Sequence, residues 1–289
     1  MSKAVISEPL VTLTRRWSCS ARPATWPARP ARWATWGGVE LLQGRYQQAG
    51  SRFEQALALR RATGDRTGQA RALGNLGRVE LKQGRYTQAA DWLRQALVLF
   101  REIGDRIGEA YILNYLGDVN LRQGRHRQAA GHFEQALALN REIGNRPGEA
   151  YVLANLGLVD LRQGRYAQAV ARLRHSLALL REIGDRSGEA EALNGLGEVF
   201  LAAGRPGQAR RKHATALELT GQIGDKYEQA RAHQGLACAY HADGKLDQAR
   251  RHWQEALTLY TTLGAPEADQ VRLQLATAGT ATTTGGRPP

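Results

Sequence analysis

Arginine, tyrosine and asparagine side chains recur along the chain at positions that share one face of a helix. The face comprises positions 71, 75, 78 and 82, and equivalent positions follow every 40 residues. Spacings of four, three and four residues place side chains on one side of an α-helix. Asn amides can pair with the backbone of an extended peptide, Tyr rings supply rigid contact area, and Arg guanidinium groups favour carboxylate or phosphate partners. These residue types therefore predict binding chemistry.

The equivalent positions of this face in successive copies are called the inner wall below. Later copies are less basic, with Glu191, Glu198 and Arg231 among their members. For any single residue, the alternative interpretation is a solvated charged face without a ligand. The candidate binding site is the basic, aromatic and amide part of the inner wall: Arg71, Asn75, Arg78, Lys82, Tyr111, Tyr115, Arg122, Tyr151, Asn155 and Arg162.

Motifs for catalysis or metal binding are missing from the sequence. There is no GxxxxGK[ST], no HExxH and no GxSxG. The seven histidines lack the i, i+4 pair of a helical zinc site, and Cys19 and Cys238 have no cysteine nearby in sequence. Acids that recur with the period, such as Glu102 and Asp105, suit helix termini better than acid–base catalysis. We expect no enzyme activity, no bound metal and no cofactor.

The elements that must position the inner wall follow from a period of 40 residues. Residues 37–276 divide into six blocks, each marked by one loop glycine: Gly44, Gly84, Gly124, Gly164, Gly204 and Gly244. Two segments with helical apolar spacing flank each of these glycines, so every block predicts a helical hairpin. Gly104 is expected to end a second helix in the left-handed conformation, and Asp105 to cap the next helix.

Leu76-Gly77, Gly84, Tyr86, Ala89 and Ala96-Leu97 resemble the tetratricopeptide repeat, in a 40-residue bacterial variant found in arrays of signalling and transcription regulators. The resemblance implies an all-α, right-handed superhelical solenoid of about six helix-turn-helix hairpins. It also implies that the inner wall is concave and binds an extended peptide. This chain departs from the family pattern in lacking the proline that usually ends the second helix.

Three parts of the chain are expected: residues 1–36, the array at 37–276, and a disordered tail at 277–289. The first part is rich in Arg, Trp and Pro. Shifting the reading frame of a G- and C-rich gene by one base converts residues 16–37 into a string that ends ARALGNLG, identical to residues 70–77. We therefore interpret residues 1–36 as an out-of-frame repeat that is disordered or poorly packed. The rival interpretation is a genuine basic tail that binds nucleic acid or membrane.

Charge and hydropathy limit the classes of partner. The net charge is +13, but residues 1–36 contribute +5, and the remaining +8 is spread along the repeats. Nucleic acid is therefore an unfavoured partner. No stretch has the apolar length of a membrane span, and we expect a cytoplasmic protein. The sequence does not indicate an oligomeric state.

The favoured function is a non-enzymatic scaffold that binds a protein or peptide in its concave groove, and an acidic segment fits this groove best. The first alternative is the detached carboxyl-terminal sensor arm of a bacterial nucleotide-dependent transcription regulator. The second is a basic nucleic-acid-binding protein, for which affinity should fall steeply as salt rises.

Overall fold

The computed structural model describes residues 46–280, where the backbone forms twelve α-helices and no strand. Residues 1–45 and 281–289, with the expectations for the amino-terminal segment and for most of the tail, lie outside the described residues. The helices are α1 (Tyr46–Ala62), α2 (Arg66–Lys82), α3 (Tyr86–Glu102), α4 (Arg106–Arg122), α5 (His126–Glu142), α6 (Arg146–Arg162), α7 (Tyr166–Glu182), α8 (Arg186–Ala202), α9 (Pro206–Ile223), α10 (Lys226–Ala242), α11 (Leu246–Leu263) and α12 (Glu267–Thr280).

The first helices α2, α4, α6, α8 and α10 begin after a glycine and an Asp or Asn cap that recur with the period. The second helices from α3 to α11 begin after a glycine and an Arg or Lys that makes no side-chain capping bond. Gly104 has a φ of 71°, which only glycine adopts without strain, and it turns the chain between α3 and α4. The Oδ1 atom of Asp105 then accepts a hydrogen bond from the Gly108 amide at 2.9 Å. This bond satisfies an amide that the first turn of a helix leaves unpaired. The sequence-based expectation for both residues is confirmed.

Small residues let the two helices of a hairpin pack closely. Ala89 is fully buried in α3, and Gly77 of α2 faces Leu93, whose Cγ would lie 2.6 Å from a β-carbon built at Gly77. In the next hairpin, Gly117 faces the ring of Phe133 in the same way. A larger side chain at these glycines would push the helices apart, so the Leu-Gly pair of each first helix is a packing requirement.

The first helices of successive hairpins stack along one side of the array. Helix α2 contacts α4, α4 contacts α6, α6 contacts α8, and α8 contacts α10. The second helices make fewer contacts with one another within residues 46–280, which places them on the wider, outer side. The prediction of an all-α superhelical solenoid is confirmed, and the inner wall lies on the stacked first helices.

The last helix extends further than the sequence suggested. Helix α12 continues to Thr280, so the predicted end of the array at residue 276 falls inside it. Ala278 is buried, and its carbonyl accepts a hydrogen bond from Nη2 of Arg250 at 2.9 Å. This packing against α11 holds residues that were expected to begin a disordered tail.

Candidate binding groove on the inner wall

The inner wall surrounds a cavity of about 1390 Å³, called the groove below. It is lined mainly by side chains from the first helices α2, α4, α6, α8 and α10 and from α12. Residues of the connecting loops and three side chains of second helices, Asn140, His213 and Tyr260, complete the lining. Two of the ten candidate residues, Arg71 and Asn75, are not part of its lining. The eight that line it are Arg78, Lys82, Tyr111, Tyr115, Arg122, Tyr151, Asn155 and Arg162.

Arg78 and two tyrosines form one aromatic corner of the groove. The Arg78 guanidinium lies 5.9 Å from the ring centre of Tyr111 and 5.3 Å from that of Tyr115, within the range of a cation–π contact. The two rings meet edge to face, with their centres 4.7 Å apart. Asn75 lies behind this corner, where it is buried and accepts a 3.3 Å hydrogen bond from Arg78. Asn75 therefore supports the corner and does not face the groove.

The cations at the carboxyl-terminal ends of the first helices differ in their pairing. Arg122 donates to Asp118 at 3.1 Å, one helical turn away. Lys82 and Arg162 are exposed and make no hydrogen bond or ion pair with the residues that the structure describes. Asn155 donates to Asn114 at 2.9 Å across adjacent helices. This side of the groove thus presents two cations that remain available to a ligand.

Tyr151 connects the groove to the cap of a neighbouring helix. Its hydroxyl donates to Oδ2 of Asp185 at 2.6 Å, while Oδ1 of Asp185 caps α8 by accepting from the Gly188 amide. Burial raises the pKa of Tyr151 well above its ordinary value, and the hydrogen bond to the Asp185 carboxylate raises it further. Tyr151 is therefore a protonated donor with a fixed ring position at neutral pH.

A network of charged and polar groups forms the other side of the groove. Arg231 of α10 donates to Glu198 of α8 at 2.7 Å and lies 3.4 Å from the Glu228 carboxylate. The Asn194 amide donates to the same carboxylate at 2.9 Å. Its oxygen faces Nδ1 of His213 at 3.0 Å. The network joins three helices, because α8, α9 and α10 each contribute a member.

His213 occupies a position that is apolar in the neighbouring hairpins. Leu173 and Trp253 fill the equivalent places 40 residues before and after it. The His213 ring has 0% exposure and packs against Gly197 and Gly235, which leave space that a β-carbon would take. Burial lowers the pKa of His213 to about 4, and the nearby Glu198 carboxylate opposes this shift without reversing it. The imidazole is therefore neutral near pH 7.

Several residues that line the groove are not among the ten candidate residues predicted from the sequence. Glu191, Glu198 and Arg231 occupy inner-wall positions in the sequence, but the predicted site covers only the basic and aromatic early copies. His213 is on a second helix, so no periodic feature of the first helices could reveal it. Gln274, which also lines the groove, belongs to the atypical last helix. The mixed charge of the later copies was the available signal for Glu191 and Arg231.

Two other properties concern the described residues as a whole. Within residues 46–280, no group of three or more His, Cys, Asp or Glu side chains has a geometry that could hold a metal ion. No helix in this part of the chain is long and apolar enough to cross a membrane.

Comparison with known families gives one match, which covers most of the chain. The model of the tetratricopeptide repeat family matches residues 30–102, 108–182 and 188–262. The first matched range begins within the Arg-, Trp- and Pro-rich segment. No curated protein matches the chain in sequence.

Solved structures resemble the fold at low sequence identity. A Rap protein complexed with Competence and Sporulation Factor is 14% identical, with a TM-score of 0.66, over 86% of this chain and 74% of that chain. NprR in complex with its cognate peptide NprX is 15% identical, with a TM-score of 0.63, over 84% and 68%. A signal transduction ATPase with a tetratricopeptide repeat sensor from Pyrococcus horikoshii is 16% identical, with a TM-score of 0.64, over 86% of this chain but only 35% of that chain.

Proposed function

Because the chain belongs to the tetratricopeptide repeat family, we propose that it is a non-enzymatic interaction protein that binds an extended peptide segment in the groove. The observation that carries this proposal is the clustering of aromatic, amide and cationic side chains from α2, α4 and α6 around one cavity. A peptide of a partner protein fits a cavity of this kind, because its backbone offers hydrogen-bond partners at regular spacing and its side chains can contact the tyrosines.

The chemistry of the first three copies favours a carboxylate on the ligand. Lys82 and Arg162 have no partner among the described side chains, and a guanidinium can hold a carboxylate through two parallel hydrogen bonds. Tyr151 lies on the same wall. The hydrogen bond from its hydroxyl to Asp185 fixes its ring, which adds a rigid aromatic surface. NprR, whose fold is similar, is in complex with its cognate peptide NprX, which agrees with this proposal.

The test replaces charge without removing packed atoms. Full-length protein is used to select from a library of random hexapeptides, and the affinity of the best peptide is measured by calorimetry. The variant K82Q/R162Q should bind that peptide at least about tenfold more weakly, because each charge-assisted hydrogen bond contributes about 1.5–3 kcal/mol. The matched control R174Q/R211Q removes two exposed arginines from α7 and α9, outside the groove, and should bind like the wild type.

Two outcomes would contradict the proposal. One is a selection that enriches no peptide above the level bound by the empty support. The other is equal affinity for K82Q/R162Q and R174Q/R211Q, with folding confirmed by circular dichroism. Binding of labelled duplex DNA tests the nucleic-acid alternative. Tight binding whose affinity falls steeply as salt rises would favour that alternative.

A second candidate function is the sensor arm of a larger regulator. It is favoured by the likeness to the ATPase from Pyrococcus horikoshii, of which this chain covers only the share quoted above. Peptide binding in the groove would then be the sensing step. The nucleotide sequence around the reading frame tests this candidate, which fails if no ATPase or DNA-binding domain is encoded upstream.

A further inference from the structure

Glu191 is a carboxylate of the groove for which the described part of the chain provides no partner. It lies on α8, is half-buried, and makes no hydrogen bond or ion pair with residues 46–278. A carboxylate with both oxygens unpaired in a partly desolvated wall costs folding free energy. A ligand that supplies a cation would compensate this cost.

The charged groups of α8 and α10 around Glu191 cannot satisfy it, because they are already committed to one another. Lys82 of α2 acts on Glu191 electrostatically but forms no ion pair with it. The Arg231 guanidinium is shared between Glu198, at 2.7 Å, and Glu228, at 3.4 Å. Glu228 also accepts from Asn194, which anchors it on the same side. One guanidinium therefore faces three carboxylates, and this part of the groove has an excess of negative charge.

His213 provides a second, independent sign that a donor group is missing. Because Asn194 donates its amide protons to Glu228, its oxygen faces His213 and must accept the proton of Nδ1. Nε2 of His213 is then a lone-pair acceptor. It is fully buried, lines the groove and has no hydrogen-bond partner in the described structure. Glu191, Nε2 of His213 and Oε2 of Glu267 are thus unsatisfied acceptors in the groove lining, so a ligand complementary to this side must bring N–H donors and positive charge.

We infer that Glu191 is a subsite for an ammonium or guanidinium group of the bound peptide, so that the ligand carries charges of both signs. The inference rests on the proposed peptide binding and specifies its chemistry. The carboxylate of the peptide contacts the side that holds Lys82, Arg122 and Arg162, while its cation contacts Glu191 on the opposing side. The source of the cation is a Lys or Arg side chain or a free amino terminus, since both have the same donor chemistry.

The protonation of Glu191 makes this subsite sensitive to pH. Burial, together with the Glu228 carboxylate, raises the pKa of Glu191 to about 7, although Arg231 and Lys82 oppose these effects. Asp118 and Tyr151 are the other ionisable groups that face it, and Asp118 acts in the same direction as Glu228. Binding of a Lys or Arg side chain should therefore strengthen from pH 6 to pH 8, as the carboxyl group loses its proton. A free amino terminus loses its own proton near pH 8, so its binding should strengthen only over the lower part of this range.

The test extends the hexapeptide selection with full-length protein. Half of the library has free amino termini and half is acetylated, and enriched peptides from both halves are sequenced. The wild type should enrich peptides that contain an acidic residue together with a cation. If the cation is an amino terminus, enrichment is confined to the free half; if it is Lys or Arg, enrichment of that residue persists after acetylation.

The variant E191Q keeps the size of the side chain and removes its charge. It should lose the preference for the cation by at least about tenfold and retain the preference for the acidic residue. Its affinity for the best wild-type peptide should be independent of pH between 6 and 8. The matched control is E218Q, at an exposed glutamate of α9 outside the groove, and it should select the same peptides as the wild type.

The outcomes separate this inference from the proposed function. If E191Q still selects the cation, or if the wild type enriches acidic peptides without one, the subsite is refuted while peptide binding stands. If the wild type enriches no peptide, the proposed function fails and the inference fails with it. Circular dichroism of E191Q confirms that a loss of preference does not come from unfolding.

Discussion

The buried histidine makes a specific prediction about stability at acid pH. His213 is enclosed between Gly197 and Gly235, and Nδ1 must keep its proton for Asn194. A second proton would have to sit on Nε2, which has no acceptor in its surroundings. Burial therefore lowers the pKa of His213 from 6.5 to about 4. In the unfolded chain the same imidazole is exposed to water and titrates near its ordinary pKa.

The sign and size of the effect follow from these two pKa values. Between pH 6.5 and pH 4 the unfolded state binds a proton that the native state excludes, so stability decreases as the pH falls. A shift of this size corresponds to about 3 kcal/mol, because one pKa unit is about 1.4 kcal/mol. The full contribution is present above pH 6.5 and is lost as the pH approaches 4. Glu191 acts in the opposite direction, since its pKa is raised to about 7 and acidification favours the native state.

Comparison of two variants isolates the histidine from these other groups. H213L places the residue type of the neighbouring hairpins at this position and removes the titration. The loss of the hydrogen bond to Asn194 will also change the free energy of unfolding of H213L, but this change does not depend on the titration of the histidine. The free energy of unfolding in urea is measured at pH 7, 6 and 5 for the wild type, for H213L, and for H175Q, a control at an exposed histidine of α7.

The wild type and H175Q should lose more stability than H213L on acidification, by a difference that approaches about 2 kcal/mol at pH 5. Parallel pH profiles for the wild type and H213L would show that the native ring is not protected from protonation. A nuclear magnetic resonance titration in which the His213 ring titrates near 6.5 would refute the same reasoning directly.

Two further predictions concern packing and the ring position in the groove. Gly117→Ala should destabilise the array by about 1–3 kcal/mol, because the new β-carbon would lie 2.5 Å from the Phe133 ring. Gly131→Ala should stabilise it by about 0.5–1 kcal/mol, because nothing lies within 4 Å of a β-carbon at that helical position. Thermal unfolding of both variants checks this, and a shift of the same sign would contradict it. Tyr151→Phe should cost about 1–2 kcal/mol in urea unfolding through the lost bond to Asp185, and an unchanged midpoint would show that this bond is not formed in solution.

Much of the fold could be predicted from one repeat. The Leu-Gly pair, the loop glycines and the capping acids act within a few residues of the chain, and the structure confirms Gly104 in the left-handed conformation and Asp105 as a cap. Helical spacing also assigned positions 71, 75, 78 and 82 to one face, because side-chain direction in a helix depends only on local geometry. The family assignment followed from the same local pattern and is confirmed by the family model.

Interactions between distant repeats were decided only by the tertiary structure. The burial of Asn75 behind Arg78 depends on how the tyrosines of the next hairpin pack, and the sequence of one helix does not contain that information. Arg231 reaches Glu198 from the adjacent first helix, and His213 enters the same network from a second helix.

The amino-acid sequence specifies the 40-residue period, the helical hairpin, its caps and the residue types of the inner wall, because these depend on backbone preferences and on contacts within one repeat. The tertiary structure alone decided which side chains share the groove and which charges compensate one another. The physical reason is that small rotations between hairpins, set by the packed volumes of residues such as Gly117 and Phe133, add up along the solenoid. Their sum brings Lys82 into the electrostatic field of Glu191, although more than two repeats separate them in the chain.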